Sequence, residues 1–293
     1  MSIGEHFRSR LGTNLRPFGR RMRAARAGRS APRWPLFAAL VLGGLALVIL
    51  VGVILDEPVI AWTRALPEGV HDFFGTVTRF GRSDWLLIPT GVVALAVAFG
   101  DWRQVSRPTA AAWWEIGTFA AVLFVVVAAT GLTTDIFKPI VGRMRPEYAG
   151  DGAFAFSPFT LGGYSHYSFP SGHATTMGAV AIFAAFAPGV LTIPIIILTA
   201  TVAVSRVVIG VHFPSDVVGG ALIGVGIGYL ILRAMADAGI VFVTRANGTI
   251  GRRLGVVSRF YRRPAGFGGL MLGLWQAWSG GASRRQPPSQ TPP

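Results

Sequence analysis

Cysteine is absent from the 293-residue chain, and charged residues are scarce. Without thiols the sequence offers no disulfide, no cysteine-ligated zinc or iron–sulfur cluster and no catalytic cysteine. Charged residues make up 14% of the chain, whereas soluble domains contain roughly 25%. Hydrophobic residues make up 52%, which excludes a disordered chain. The composition therefore predicts an integral membrane protein.

Acidic residues are also few, 13 against 27 lysines and arginines, and the net charge is +14. Most of the excess lies at the two ends, with nine arginines in residues 1–35 and nine more in residues 233–285. Arginine-rich ends beside apolar segments are typical of cytoplasmic tails under the positive-inside rule. We therefore predict no nucleic-acid partner. A cleaved signal peptide is disfavoured because the basic stretch is too long.

Six apolar stretches predict an all-α bundle of six transmembrane helices. The first has no charged residue and is long enough to cross about 30 Å of hydrocarbon, which takes about 20 residues. Several others reach spanning length only if flanking residues join the helices. The predicted spans are residues 35–55, 85–99, 116–134, 174–187, 189–204 and 217–232.

The charge distribution also predicts a topology and three regions. If both ends are cytoplasmic, 20 arginines lie inside and seven basic residues outside. Residues 1–34 form an arginine-rich tail, residues 35–235 the six-span domain, and residues 236–293 a second, partly disordered tail. Within that tail, the apolar residues 266–278 are expected on the membrane surface. Gly220, Gly224 and Gly228 predict close helix packing in the sixth span.

Three groups of polar residues lie at the ends of spans that face the same, outer side. Alternation of the helices across the membrane brings these ends together without any further assumption about the fold. One pocket would then collect three cations, two histidines and one carboxylate. The groups are Lys138 with Arg145, Pro170-Ser171-Gly172-His173, and Ser205-Arg206 with His212 and Asp216.

Cations with so little counter-charge are costly near a bilayer and predict a bound anion. Phosphate fits, since arginine binds its oxygens in pairs. One imidazole could attack phosphorus while the other donates a proton to the leaving oxygen. Asp216 follows His212 by four residues and could fix the tautomer of its ring.

Each residue also has a simpler interpretation. Lys138 could anchor a span end at the interface or pair with Asp135. Arg206 could interact with the C-terminal end of its helix, and Ser215 or Asp216 could cap the start of the sixth span. The joint spacing of the three groups favours a common site over these separate roles.

Together, residues 138–146, 170–173 and 205–216 resemble the three-part signature of the type 2 phosphatidic acid phosphatase (PAP2) superfamily. That superfamily includes bacterial undecaprenyl pyrophosphate phosphatases, phosphatidylglycerophosphate phosphatases and vanadium haloperoxidases. The resemblance implies a six-helix bundle of the PAP2/haloperoxidase type with its active site at the outer face. Three spaced motifs in the right order make it specific.

The resemblance also implies a role for each residue. His212 would be the nucleophile that forms a phosphohistidine, Asp216 its orienting partner, and His173 the general acid that later activates water. The phosphate oxygens would be bound without any metal or other cofactor. The implied phosphate-binding residues are Lys138, Arg145, Arg206, Ser171 and Gly172.

The expected protein is thus a phosphatase of the bacterial inner membrane, acting on lipid phosphates or diphosphates at the periplasmic face. Undecaprenyl diphosphate is the predicted substrate, with phosphatidic acid, phosphatidylglycerophosphate and lipid A as rivals. Two alternatives stay open: a lipid phosphotransferase that uses the same site, and a non-enzymatic binder or transporter of anionic lipids.

Overall fold

Long apolar helices dominate the computed structural model, which describes residues 3–27, 34–150, 152–185, 189–245, 248–252 and 266–279. A short antiparallel hairpin is formed by β1 (Phe242–Thr244) and β2 (Ile250–Arg252). The helices are α1 (Ile3–Ala27), α2 (Trp34–Arg64), α3 (Glu68–Val77), α4 (Asp84–Phe99), α5 (Arg107–Val141), α6 (Gly172–Ala184), α7 (Gly189–Val208), α8 (Pro214–Asp237) and α9 (Gly266–Ser279).

Five stretches of helix are long and apolar enough to cross a membrane: Pro35–Arg64, Glu68–Phe99, Arg107–Val141, Leu191–Val208 and Pro214–Asp237. They correspond to five of the six predicted spans. The predicted span 174–187 falls on α6, which has 13 residues. Residues 186 and 187 of that span lie outside the described residues. The count of six therefore stays a prediction.

The first span is longer than predicted. The predicted span 35–55 ends just before the first charged residue, but α2 continues through Asp56 and Glu57 to Arg64. Its outward side chains are exposed and apolar, as expected of a helix in contact with lipid; Leu40 and Val53 are examples. One narrow stripe is buried, and it consists of Gly52, Asp56, Ile60 and Thr63.

The chain folds into two compact units. The first consists of residues 1–29, 90–121 and 234–293 and includes α1, the hairpin and α9. Its core packs Val97, Trp113 and Leu270, and the Trp113 indole donates to the Leu270 carbonyl at 2.7 Å. α9 has 14 residues, about 21 Å of helix, which is too short to cross a bilayer. Its placement on the membrane surface stays a prediction, and residues 280–293 lie outside the described residues.

The second unit consists of residues 30–89 and 122–233 and contains all the predicted site residues. In this unit the glycines of α8 allow the close packing expected from sequence. A Cβ at Gly220 would lie 2.4 Å from the Ser171 carbonyl oxygen, and one at Gly224 would lie 2.2 Å from that of Thr175. Real side chains do not tolerate such distances, so the backbones of α6 and α8 approach each other only because these positions are glycine.

Candidate active site

The first site segment leaves α5 through a glycine turn. Gly142 follows the helix with a φ of +60°, and a Cβ there would lie 1.8 Å from the Ser157 carbonyl oxygen. Only glycine fits this position. Backbone hydrogen bonds then attach residues 143–145 to the loop 155–168. Lys138 thus stays on the last turn of α5, while Arg145 is carried into the loop.

Arg145 is held by backbone carbonyls. Its guanidinium donates to the carbonyls of Tyr164 at 2.8 Å, Val211 at 3.1 Å and Tyr167 at 3.3 Å, and lies 3.8 Å from the centroid of the Tyr164 ring. Within the described part of the chain, no carboxylate lies within ion-pair distance of it. Burial lowers the pKa of Arg145, but a guanidinium stays charged at physiological pH. The result is a fixed positive charge.

The start of α6 lies beside Lys138. Ser171 is the N-cap residue, and its hydroxyl accepts the Ala174 amide at 3.5 Å. A Cβ at Gly172 would lie 3.6 Å from the Lys138 ammonium, so this cation lies close to the positive end of the helix. Lys138 also pairs with the exposed Asp135 at 3.0 Å. The simpler interpretation of Lys138 and its place in the site are therefore compatible.

Arg206 lies near the end of α7 and is 9% exposed. One terminal nitrogen donates to the Thr78 hydroxyl at 2.7 Å. Its Nε has no hydrogen-bond partner among the described residues. The amide of His212 donates to the Arg206 carbonyl at 3.2 Å, so the turn after α7 brings cation and imidazole to the same place.

His212 and Asp216 lie side by side, both fully buried. The His212 Nδ1 is 3.6 Å from Asp216 Oδ2 and has no hydrogen-bond partner in the described structure. Asp216 also accepts the Phe213 amide at 2.9 Å and the Ser168 hydroxyl at 2.5 Å. It therefore caps the start of α8 as well as facing the imidazole. Burial lowers the pKa of His212 to about 4, so the ring is neutral at pH 7.

His173 lies on the first turn of α6. A Cβ at Gly81 would lie 2.5 Å from the His173 Cδ2 and 2.8 Å from a methyl of Val202, so only glycine admits the ring here. Burial, and after it the nearby groups Arg206, His212, Lys138 and Arg145, lowers the pKa of His173 to about 3. The structure thus brings the three predicted groups together.

Four residues around the site were not predicted from the sequence. Thr78 and Gly81, in the turn before α4, contact Arg206 and His173. Arg143 and Asp56 are buried beside Asp216. For Asp56 the sequence does give an indication, because a carboxylate directly follows a long apolar run. If the helix continues and buries that carboxylate, it needs a partner.

Arg143 joins the two buried carboxylates. It donates to Asp56 Oδ2 at 2.7 Å and to Asp216 Oδ1 at 2.6 Å, and we call these three residues the Asp56–Arg143–Asp216 chain. The cation cluster, in contrast, is Lys138, Arg145 and Arg206, which have no buried carboxylate partner in the described structure.

The arrangement suits a tetrahedral oxyanion. Fixed guanidinium groups and the amides of a helix start bind phosphate oxygens, and the same groups stabilise charge that develops during transfer. A neutral imidazole beside a carboxylate can act as a nucleophile or base. Among the described residues, no group of three or more histidine, aspartate or glutamate side chains is placed to hold a metal ion.

Comparisons with known proteins define the class and then the family. Residues 119–240 match the model of the PAP2 superfamily. The chain is 33% identical over 238 residues to a lipid A 1-phosphatase from Rhizobium johnstonii, an alignment that covers 78% of this chain and 92% of the relative. It is 30% identical over 156 residues to an undecaprenyl-diphosphatase from Sulfolobus acidocaldarius, which covers 53% and 65%.

Among solved structures, the crystal structure of the transmembrane PAP2-type phosphatidylglycerolphosphate phosphatase from Bacillus subtilis matches with a TM-score of 0.48 and 22% identity, covering 66% of this chain and 92% of that chain. The sequence relationships show that this chain belongs to the PAP2 superfamily. It is a membrane phosphatase of the lipid phosphatase type, a phosphoric ester hydrolase.

Proposed function

We propose that the protein removes a phosphate group from a membrane lipid through a covalent phosphohistidine on His212. The observation that carries the proposal is the pair His212–Asp216, 3.6 Å apart and fully buried, beside the cation cluster. Acid–base and nucleophilic groups next to cations that have no buried carboxylate partner in the described structure suit phosphoryl transfer. Binding alone needs only the cations, which disfavours a binder or transporter.

The reaction has two steps. The Nε2 of His212 forms a bond to phosphorus as the bond to the lipid oxygen breaks, and His173 gives a proton to that oxygen. Burial and the nearby cations lower the pKa of His173 to about 3, and the negative charge of a bound phosphate would oppose this shift and favour the protonated ring. A water molecule then attacks phosphorus, His173 takes up its proton, and the N–P bond breaks to release inorganic phosphate. Asp216 stabilises the positive charge on His212 while the intermediate exists. Lys138, Arg145, Arg206, Ser171 and the Gly172 amide would bind the phosphate oxygens.

Two substrates are the first to test. Lipid A with a phosphate at position 1 is favoured by relatives aligned over nearly their full length. Undecaprenyl diphosphate, the substrate predicted from sequence, is supported by a relative aligned over 65% of its length. Both carry a phosphate on a very apolar body, which fits a site between membrane helices.

The predicted topology belongs to this proposal. Six spans, with α6 and the residues after it as the fourth, would place both arginine-rich ends in the cytoplasm and the site at the outer face of the inner membrane. Residues 35–235 would form the catalytic domain between tails 1–34 and 236–293. The excess of arginine at the two ends supports this orientation.

The proposal is tested by phosphate release from a panel of lipids with purified protein in detergent and a chelator present. The panel contains lipid A, undecaprenyl diphosphate, phosphatidic acid and phosphatidylglycerophosphate. We expect release from at least one lipid, none with His212→Ala, and a phosphorylated His212 in acid-quenched wild-type samples. Normal activity of His212→Ala would overturn the mechanism.

Two further outcomes separate the alternatives. A phosphorylated acceptor lipid in place of free phosphate would show a phosphotransferase. Lipid binding without release of phosphate or labelling of His212 would show a binder.

A further inference from the structure

The only buried charged residue of α2 within the described chain is Asp56. Gly52, one turn earlier, faces the start of α8, and a Cβ there would make ordinary contacts, 3.4 Å from Asp56 Oδ2 and 3.6 Å from the Ser215 Cβ. A carboxylate this deep in an apolar helix is costly unless it is paired and hydrogen-bonded. Lipid contact therefore does not explain why an aspartate stands at position 56.

Every polar contact of Asp56 leads toward the catalytic pair. Its Oδ1 accepts the Ser215 amide at 2.9 Å, and its Oδ2 accepts the Ser215 hydroxyl at 2.6 Å and Arg143 at 2.7 Å. Ser215 is the neighbour of Asp216 in the first turn of α8. Asp56 thus holds the backbone beside Asp216, and it also holds the Arg143 guanidinium, which donates a hydrogen bond to Asp216.

Arg143 is fixed on all sides. It donates to Asp216 at 2.6 Å, to the Ser215 hydroxyl at 2.7 Å and to the Ala153 carbonyl at 2.7 Å, and its guanidinium lies 4.2 Å from the centroid of the Phe213 ring. Since Phe213 follows His212 directly, the guanidinium supports both the carboxylate and the backbone next to the imidazole. It binds Oδ1 of Asp216, while Oδ2 faces His212 and also accepts the Phe213 amide and the Ser168 hydroxyl.

We infer that Asp56 and Arg143 are positioning residues for the catalytic pair, so that α2 forms part of the active-site scaffold through the Asp56–Arg143–Asp216 chain. They act on the lipid only through Asp216 and His212. This inference rests on the proposed function, which assigns the chemistry to that pair.

The chain also sets the charge felt by the imidazole. Asp216 from α8 lies 3.6 Å from His212, Arg145 from the loop donates to the neighbouring Val211 carbonyl, and Arg206 from α7 accepts the His212 amide through its own carbonyl. His173 on α6 and His212 act on each other electrostatically. Arg143 offsets part of the Asp216 charge, and Asp56 offsets part of the Arg143 charge. Removing Arg143 leaves more negative charge beside His212 and raises its pKa; removing the Asp56 charge does the opposite.

The test is the ring titration of His212 by NMR in the full-length protein in micelles, with its signal assigned by its absence in His212→Ala. Relative to the wild type, we expect the midpoint to fall in Asp56→Asn and to rise by about one unit in Arg143→Met. The double variant should lie between them. Glu57→Gln, an exposed carboxylate one residue along α2, is the matched control and should leave the midpoint unchanged.

Kinetics give a second readout. We expect kcat of Asp56→Asn to fall about tenfold with little change in KM, because orientation is lost and phosphate binding is not. An unchanged His212 midpoint together with an unchanged kcat in Asp56→Asn would overturn the inference. If Arg143→Met does not fold, the result for Asp56→Asn alone is decisive. Absence of phosphate release by the wild type would instead overturn the proposed function, since the titration does not depend on activity.

Discussion

The site contains two buried groups of positive charge that differ in their partners. Arg143 lies between two carboxylates, each fully buried. Arg145 and Arg206 are almost equally buried, at 6% and 9% exposure, but among the described residues they contact carbonyls, a ring and a hydroxyl. Because Arg143 is paired with carboxylates, it belongs to the scaffold. Arg145 and Arg206 have no such partner in the described structure, so their charge can bind a ligand.

The largest effect that would sharpen this comparison is on catalysis. Arg206→Met should lower kcat/KM for phosphate release about 10²–10³-fold, because a fixed cation that stabilises transition-state charge is lost. The melting temperature should not fall much, since no buried carboxylate loses its partner. Both quantities are measured on the same purified sample. A large loss of stability with normal activity would place Arg206 in the scaffold instead.

The opposite result is expected for the paired residue. Arg143→Met should lower the free energy of unfolding by about 3–5 kcal/mol, because Asp56 and Asp216 are left buried without a cation. Denaturant unfolding in micelles measures the change, with Arg145→Met as the matched variant two residues away. Equal losses of stability in the two variants would remove the distinction between the groups.

The sequence distinguishes these two arginines poorly, although only one residue separates them. The Asp56 partner of Arg143 is 87 positions away along the chain, and no local pattern reports such a contact. The predicted first span ended at residue 55 for the same reason: hydropathy treats Asp56 as an end, whereas Arg143 and Ser215 satisfy its charge and the helix continues. Hydropathy therefore misplaces the end of a helix where a tertiary ion pair neutralises a charged residue.

The elements predicted well are those set by local rules. The structure brings the helix ends that carry Lys138, His173 and His212 together, whereas the six-span alternation from which this was inferred stays a prediction. Ser171 caps α6, and the α8 glycines pack closely, as short-range preferences indicate. Gly81 and Thr78 were not predicted as site residues because the residues that they contact lie on α6 and α7, far along the sequence.

A smaller effect tests whether the cation cluster has room for an anion. Gly172→Ala places a methyl 3.6 Å from the Lys138 ammonium, an ordinary contact that the fold should tolerate. The methyl occupies space beside the phosphate-binding amide, so vanadate, a phosphoryl transition-state mimic, should inhibit about tenfold less well, which corresponds to about 1.4 kcal/mol. Unchanged inhibition would mean that phosphate does not bind at this helix start.

The smallest expected effect concerns the exposed partner of Lys138. Asp135 is 72% exposed, and its 3.0 Å ion pair with Lys138 is screened by solvent, so Asp135→Asn should change the free energy of unfolding by less than about 1 kcal/mol. The same pair competes with a bound anion for the Lys138 ammonium. Vanadate inhibition should therefore become slightly stronger, by at most about fivefold.

Asp84→Asn is the matched control for this change. Asp84 forms an exposed 2.7 Å pair with Arg82, so its loss has the same chemistry but removes no competitor for Lys138. Vanadate inhibition should not change. If Asp135→Asn instead weakens inhibition, Asp135 holds Lys138 in place for the anion, and Lys138 then resembles Arg143 in depending on a carboxylate for its position.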